Sequence, residues 1–245
     1  ESPRVRWDVL DAFRRAALEV GIPESEDFNR GDNFGCGYFD VNQKKGRRWN
    51  AAQAFLHPVR SRPNLTVVSG VQVTGLRFDH LDPGRVIGVN YRHLNDSGDS
   101  EHSLSNYEVI LSAGAVGTPQ ILELSGVGAP AALDAAGIAI RHALSGVGEN
   151  LQDHLQLRTI YKVRNVHTLN RQANSLLGKT AMGLQYLLFR RGPMTMSPSQ
   201  LGAFAMSNPG EKTPNVDYHV QPLSLDKFGD PLHRFPAITV SACNL

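Results

Sequence analysis

A mixed α/β (α+β) fold in two packed units is what this 245-residue chain predicts, and three observations predict it. Helical periodicity opens the chain and returns in its last third, on either side of β-rich sequence. Strand-like runs separated by turn formers fill much of the remainder. One near-continuous apolar run, Tyr107 to Leu111, reads as a strand covered on both faces.

Taken in order, residues 7 to 20 predict a helix with Leu10, Phe13, Ala17 and Val20 on one face. Gly21 and Pro23 supply its stop. The glycine-rich stretch Gly31 to Gly37 predicts a loop that crosses between units. Leu65–Val68, Val71–Phe78 and Val86–Tyr91 predict strands, the last two joined across Asp82-Pro83-Gly84, and polar Asn95–Ser105 predicts a loop. Thr118 is placed to cap, and Pro119 to begin, a short helix. A second helix runs from Pro130 to Ala136 and stops at Gly137. Leu155–Val163, Val216–Leu223 and Ala237–Cys243 predict further strands. Between them Ser175–Arg191 predicts an amphipathic helix, with Leu176, Leu177, Leu184, Leu187 and Leu188 turned inward and Gly192-Pro193 ending it. The boundary between units falls near residues 150 to 155.

Composition narrows the functional classes. A net charge of +2 is too small for a nucleic-acid or membrane-surface partner. The run Lys44-Lys45-Gly46-Arg47-Arg48 reads as a solvated turn tip, with a phosphate contact as the alternative. No run approaches the roughly 18 apolar residues of a membrane span. Cys36 and Cys243 lie far apart, without metal-type spacing, so no metal site is expected and a reduced, cytoplasmic setting fits. No secretory leader opens the sequence, and the absence of an initiator Met suggests a piece of a longer product.

Motif spacing excludes more than it assigns. There is no His-Glu-x-x-His, Cys-x-x-Cys, Walker loop or Gly-x-Ser-x-Gly elbow. Gly126-Val-Gly128-Ala-Pro-Ala131 has glycine-fingerprint spacing but follows a helix instead of a strand, so it fails its own context. Six of the nine histidines sit on strands, turns or polar loops without an obvious partner. His154 differs, because it ends the run Glu149-Asn-Leu-Gln-Asp153, a fixed polar network in which Asp153 reads as a lock at the unit junction.

Three stretches, in this order, carry a resemblance. GRRWNAAQAFLHPVRSRPNLTVVSGVQVTGLRF (Gly46–Phe78), LSAGAVGTPQILELSGVG (Leu111–Gly128) and GVGENLQDH (Gly146–His154) together resemble the glucose–methanol–choline (GMC) flavin-dependent alcohol oxidoreductases, closest to bacterial alcohol and choline dehydrogenases. The resemblance implies part of an FAD-binding domain plus a substrate domain built on an antiparallel sheet with flanking helices. It divides the chain into 1–44, a first substrate-domain segment; 45–154, the middle of the FAD-binding domain; and 155–245, the substrate-binding domain. It implies that Ser112, Ala113 and Gly114 approach FAD, being small where backbone nears the cofactor, and that the backbone of Val73 contacts the adenine. The dinucleotide fingerprint and the catalytic histidine of the family have no counterpart here. The chain therefore resembles an internal fragment, with no catalytic residue of its own and little hold on FAD.

Substrate is implied at Gln156. Choline-specific relatives carry a glutamate two residues after the histidine of the Gln-Asp-His run, where this chain has Gln156. A neutral amide favours a neutral primary alcohol over a quaternary ammonium. Met194 and Met196 suit an adaptable apolar pocket, with core filler as the alternative. A choline dehydrogenase-type enzyme, or a non-catalytic binding module derived from the family, are the competing readings. The electron acceptor is left open.

Overall fold

The computed structural model describes residues 1–95, 101–105, 107–227 and 229–245. Along the chain run α1 (Asp8–Glu19), β1 (Gly35–Tyr38), β2 (Gln43–Lys44), β3 (Arg47–Arg48), β4 (Val71–Phe78), β5 (Val86–His93), β6 (Glu101–Leu104), α2 (Gly114–Leu124), β7 (Val127–Gly128), α3 (Pro130–Ala135) and β8 (His142–Ala143). They are followed by β9 (Gln156–Lys162), α4 (Leu169–Ala173), α5 (Leu176–Phe189), β10 (Leu201–Ala205), β11 (Val216–Gln221) and β12 (Ala237–Asn244). The chain divides into two compact units, Glu1–Val59 with His154–Leu245, and Arg60–Asp153.

The first unit is organised by a five-stranded antiparallel sheet in the order β1-β10-β11-β12-β9. Alternation along each strand gives its two faces different work. Cys36, Leu201, Ala203, Val220 and Ile238 point to one face and form the core with Trp7, Val9, Leu10 and Ala17 of the α1 segment. Burial raises the Cys36 thiol to about 11, so it stays a neutral, small apolar group there. Asp8 and Asp11 sit in the first turn of α1, where carboxylates suit the helix dipole. The helix stops where Gly21 takes φ +88° and the Ile22 N–H donates back to the Ala17 carbonyl at 2.9 Å. Val20, predicted on the inward face, is 76% exposed because it caps the helix just after its last residue, Glu19.

The Lys44–Arg47 tip is a two-residue hairpin turn. Lys45 and Gly46 both have positive φ, at 53° and 73°, as a turn matching the strand twist demands. A side chain on Gly46 would run into the Arg190 carbonyl.

Helix α5 begins where the Ser175 hydroxyl accepts from the Gly178 N–H at 3.3 Å and ends at Arg190 in the left-handed region. Its leucines contradict the inward assignment: Leu176, Leu177, Leu184, Leu187 and Leu188 are all exposed, and Met182 is the residue buried. An apolar stripe marks a face suited to packing, and within this unit that face stays at the surface.

The second unit pairs β4-β5-β6 in an antiparallel sheet against α2. The hydroxyl of Ser125 ties the two together, accepting from the Leu76 N–H at 2.8 Å and donating to the Ile121 carbonyl at 2.6 Å. Four expectations need correcting. Leu65–Val68 and Tyr107–Leu111 form no strand; Tyr107 and Ile110 are 92% and 78% exposed, since no neighbouring strand among the described residues offers hydrogen bonds. Helix α2 starts at Gly114, earlier than the predicted Thr118-Pro119 start, and Pro119 lies inside it. The Thr118 hydroxyl instead accepts from the Ala113 N–H at 3.0 Å. Within the loop expected at Asn95–Ser105, Glu101–Leu104 forms β6 and residues 96–100 lie outside the described residues.

Candidate functional site

The second face of the five-stranded sheet carries polar chemistry. Register places Arg158, Ser241 and His219 in one cross-strand row with Gly202 and Gly37, and Gln156, Cys243 and Asp217 in the next row with Phe204 and Gly35. Thr239 and Gln221 follow in a third row. The strand ladder, with its side-chain period of two, thus delivers arginine, serine, histidine, glutamine, aspartate and threonine side chains to one surface.

Within it stands an Asp–His pair. His219 Nε2 lies 2.8 Å from Asp217 Oδ2, the two being i, i+2 on β11. The hydrogen bond to Asp217 raises the His219 pKa above its ordinary value, with partial burial opposing it. When the ring is neutral, Nε2–H donates to the carboxylate and Nδ1 is left as the acceptor. The Phe39 ring lies 5.7 Å from the imidazole and packs on Phe28 and Phe204 at 5.3 and 6.4 Å. Room for that ring comes from Gly202, where any Cβ would overlap it. We expect Gly202→Val to displace Phe39 and cost about 2 kcal/mol, the usual scale of overpacking, in a denaturant titration. Wild-type stability in that variant would rule the packing out.

Met194 and Met196 line a cavity of about 610 Å³ together with Asp40, Gln43, Arg48 and Tyr186. Met196 also packs against the core, whereas Met194 is 58% exposed. Gln156 is not among the residues lining that cavity; it is exposed at the start of β9. Gln43, which precedes the Lys44–Arg48 run and carries no sequence signal, is 9% exposed with neither amide atom hydrogen-bonded. Only tertiary placement singles it out. His219 was more accessible to reading: a carboxylate and an imidazole two apart on a strand share a face.

Ser224, His233 and Asp226 mimic a nucleophile relay, with His233 Nδ1 3.0 Å from Ser224 Oγ and Nε2 3.2 Å from Asp226 Oδ1. Ser224 is fully buried and its hydroxyl also meets the Asn170 amide at 3.1 Å, so the group is a latch. In the second unit, Ser112, Ala113 and Gly114 are exposed where α2 begins, and Val73 lies half-buried on β4 beside a bulge between Val73 and Gly75. The described residues hold no cluster of three or more metal-ligating side chains, and no helix long and apolar enough to cross a membrane. Asp153 and His154, exposed, mark the division between the units.

The model of the GMC oxidoreductase family matches residues 4–156. The chain is 38% identical over 235 residues to the alcohol dehydrogenase (acceptor) of Pseudomonas putida, covering 96% of this chain and 42% of that protein. It is 37% identical over 211 residues to the mitochondrial choline dehydrogenase of Mus musculus, covering 86% and 34%. A fungal aryl-alcohol oxidase structure superposes with a TM-score of 0.75 at 28% identity, over 83% of this chain and 34% of that one. Pyridoxine 4-oxidase from Mesorbium loti, with a TM-score of 0.76 at 23% identity over 98% and 42%, shares the fold. The chain thus spans from about a third to two fifths of these relatives. A family match over more than half of the chain, two units of the expected α+β character and alcohol and choline dehydrogenases among its relatives agree: this chain belongs to the GMC oxidoreductase family.

Proposed function

We propose that the chain is part of an FAD-dependent dehydrogenase or oxidase of neutral primary alcohols, with the polar face of the five-stranded sheet turned to the substrate. The observation that carries this reading is the His219–Asp217 pair sharing a sheet face with Gln156. Residues 45–154 serve the flavin side, and 1–44 with 155–245 the substrate side.

The residues named for FAD suit a large planar group approached along backbone. Gly114 has φ +87° at the start of an 11-residue helix, and a Cβ built there meets nothing within 4 Å. Ser112 and Gly114 would hold the cofactor by backbone N–H groups and the positive end of α2, Ala113 by the close approach its small side chain allows, and Val73 by its main chain. A bound FAD supplies a two-electron acceptor for the hydrogen on the alcohol carbon. The role of this chain is to receive and orient the alcohol. His219, held by Asp217, hydrogen-bonds the hydroxyl and so acts as a positioning residue, while Met194 and Met196 enclose the alkyl body.

Gln156 sets preference by charge. A trimethylammonium loses hydration on entry, and an amide offers no opposite charge to offset that. In the full-length protein, kcat/KM for a medium-chain alcohol should exceed that for choline. Gln156→Glu should move the ratio toward choline by tenfold or more, on the order of 1.5–3 kcal/mol for a charge-assisted contact. A wild-type preference for choline sinks the neutral-alcohol reading, and an unmoved ratio removes Gln156 from the pocket. A purified full-length protein without flavin absorbance sinks the cofactor assignment.

A further inference from the structure

Another cavity of the first unit, about 640 Å³, opens between the start of α1 and the α4–α5 segment. It shares no lining residue with the cavity at Met194 and Met196. Two buried groups lining it lack partners. Trp7 is 7% exposed and its indole Nε1 makes no hydrogen bond; Thr168 is 1% exposed and its Oγ1 makes none either. Each buried polar group left unpaired costs about 1–3 kcal/mol. An indole N–H can only donate, so whatever relieves it must be an acceptor.

The surrounding charge says which kind. Arg6 and Arg171 line the same cavity, and neither forms an ion pair among the described residues. His167 stands with them and adds a ring N–H donor. Against these stands one carboxylate, Asp8. Ser175, the N-cap of the 14-residue α5, also lines the cavity, and no acidic residue occupies the first turn of that helix. The positive end of the helix dipole is therefore uncompensated by its own sequence.

We propose that this cavity binds a tetrahedral oxyanion of the phosphate or sulfate class. Two guanidiniums and the Ser175 hydroxyl line the cavity, and the unpaired indole N–H and Thr168 hydroxyl lie buried just beneath its wall. They outnumber what the two oxygens of a carboxylate accept, and they match four oxygens. The site is separate from the alcohol chemistry, so its ligand is a structural or regulatory anion.

The test uses full-length protein labelled with 5-fluorotryptophan, its Trp7 resonance identified as the ¹⁹F signal lost in Trp7→Phe. Sodium phosphate, sulfate, acetate and chloride are titrated at matched ionic strength. Phosphate and sulfate should shift the Trp7 resonance saturably, with acetate at least tenfold weaker and chloride without a saturable effect. Arg171→Gln and Thr168→Val should each raise the apparent Kd for phosphate at least tenfold, while alcohol turnover stays unchanged. Tighter binding of phenyl phosphate than of inorganic phosphate supports the site with an organic phosphate as ligand; equal binding supports it with the free ion. The proposal is overturned if phosphate acts no differently from chloride, if acetate matches phosphate, or if both variants keep the wild-type Kd.

Discussion

Asn170→Ala should lower the stability of the protein by about 3 kcal/mol, and its Tm by roughly 10 °C given the usual few degrees per kcal/mol at this chain length. Asn170 is fully buried at the start of α4 and spends its whole amide on one distant segment. Its Nδ2 donates to the Ser224 carbonyl at 2.9 Å, to Ser224 Oγ at 3.1 Å and to the His233 carbonyl at 3.0 Å. Its Oδ1 accepts from the Ser224 N–H at 2.9 Å. Alanine removes all four bonds and leaves the buried Ser224 N–H unpaired, while the Ser224 carbonyl keeps the His233 N–H at 3.0 Å and the His233 carbonyl keeps Asn174. The same segment is pinned from the sheet by Thr239 Oγ1, which donates to the Leu223 carbonyl at 2.9 Å. Asn170→Asp should be nearly as damaging, since a carboxylate cannot donate to the two carbonyls. Exposed Asn174 also donates to the His233 carbonyl, at 2.9 Å, and its alanine variant should cost under about 1 kcal/mol. Chemical denaturation of the three variants decides the matter: equal small losses for Asn170→Ala and Asn174→Ala would mean the network carries no net stability.

The second large effect is expected on activity. His219→Ala in the full-length protein should reduce kcat/KM for a neutral alcohol by about a hundredfold, the scale of losing one well-placed hydrogen-bonding group at a reacting hydroxyl. Asp217→Asn should cost less, about tenfold, because the ring remains while its tautomer is no longer held by a carboxylate. The two changes differ in their pH signature. Asp217 raises the His219 pKa through its hydrogen bond, so Asp217→Asn should shift the acid limb, where the ring takes up a proton, to lower pH. Stability follows the same linkage. A histidine whose folded pKa is raised adds stability fully present below its unfolded value near 6.5, and loses it as pH rises through the folded value. The stability gap between wild type and Asp217→Asn should therefore narrow from pH 6 upward. Alcohol turnover indifferent to both substitutions would remove His219 from the substrate face, and a pH profile unmoved by Asp217→Asn would remove the coupling.

Most of the secondary structure was legible because it rests on period. The α1 stripe, the β4 and β5 runs across Asp82-Pro83-Gly84, and the β9, β11 and β12 runs each declare themselves within ten or so residues. Family membership was legible for a related reason: three ordered stretches between Gly46 and His154 carry it.

What the tertiary structure alone decided are the properties that need a second segment. Tyr107–Leu111 has the composition of a strand, yet strand formation requires a neighbour's hydrogen bonds, and composition cannot supply them. The leucines of α5 announce an apolar stripe, but only packing says what covers it. Asn170 is one asparagine among several until the fold brings Ser224 and His233, more than fifty residues away, onto its amide. Gln156, His219 and Asp217 come to share a surface only because β9, β12 and β11 pair in that register, and a slip of one residue would send each to the opposite face. Local sequence determines which segments are helix or strand through periodicity and turn chemistry; which side chains meet is decided by long-range register and burial, which no short stretch of sequence contains.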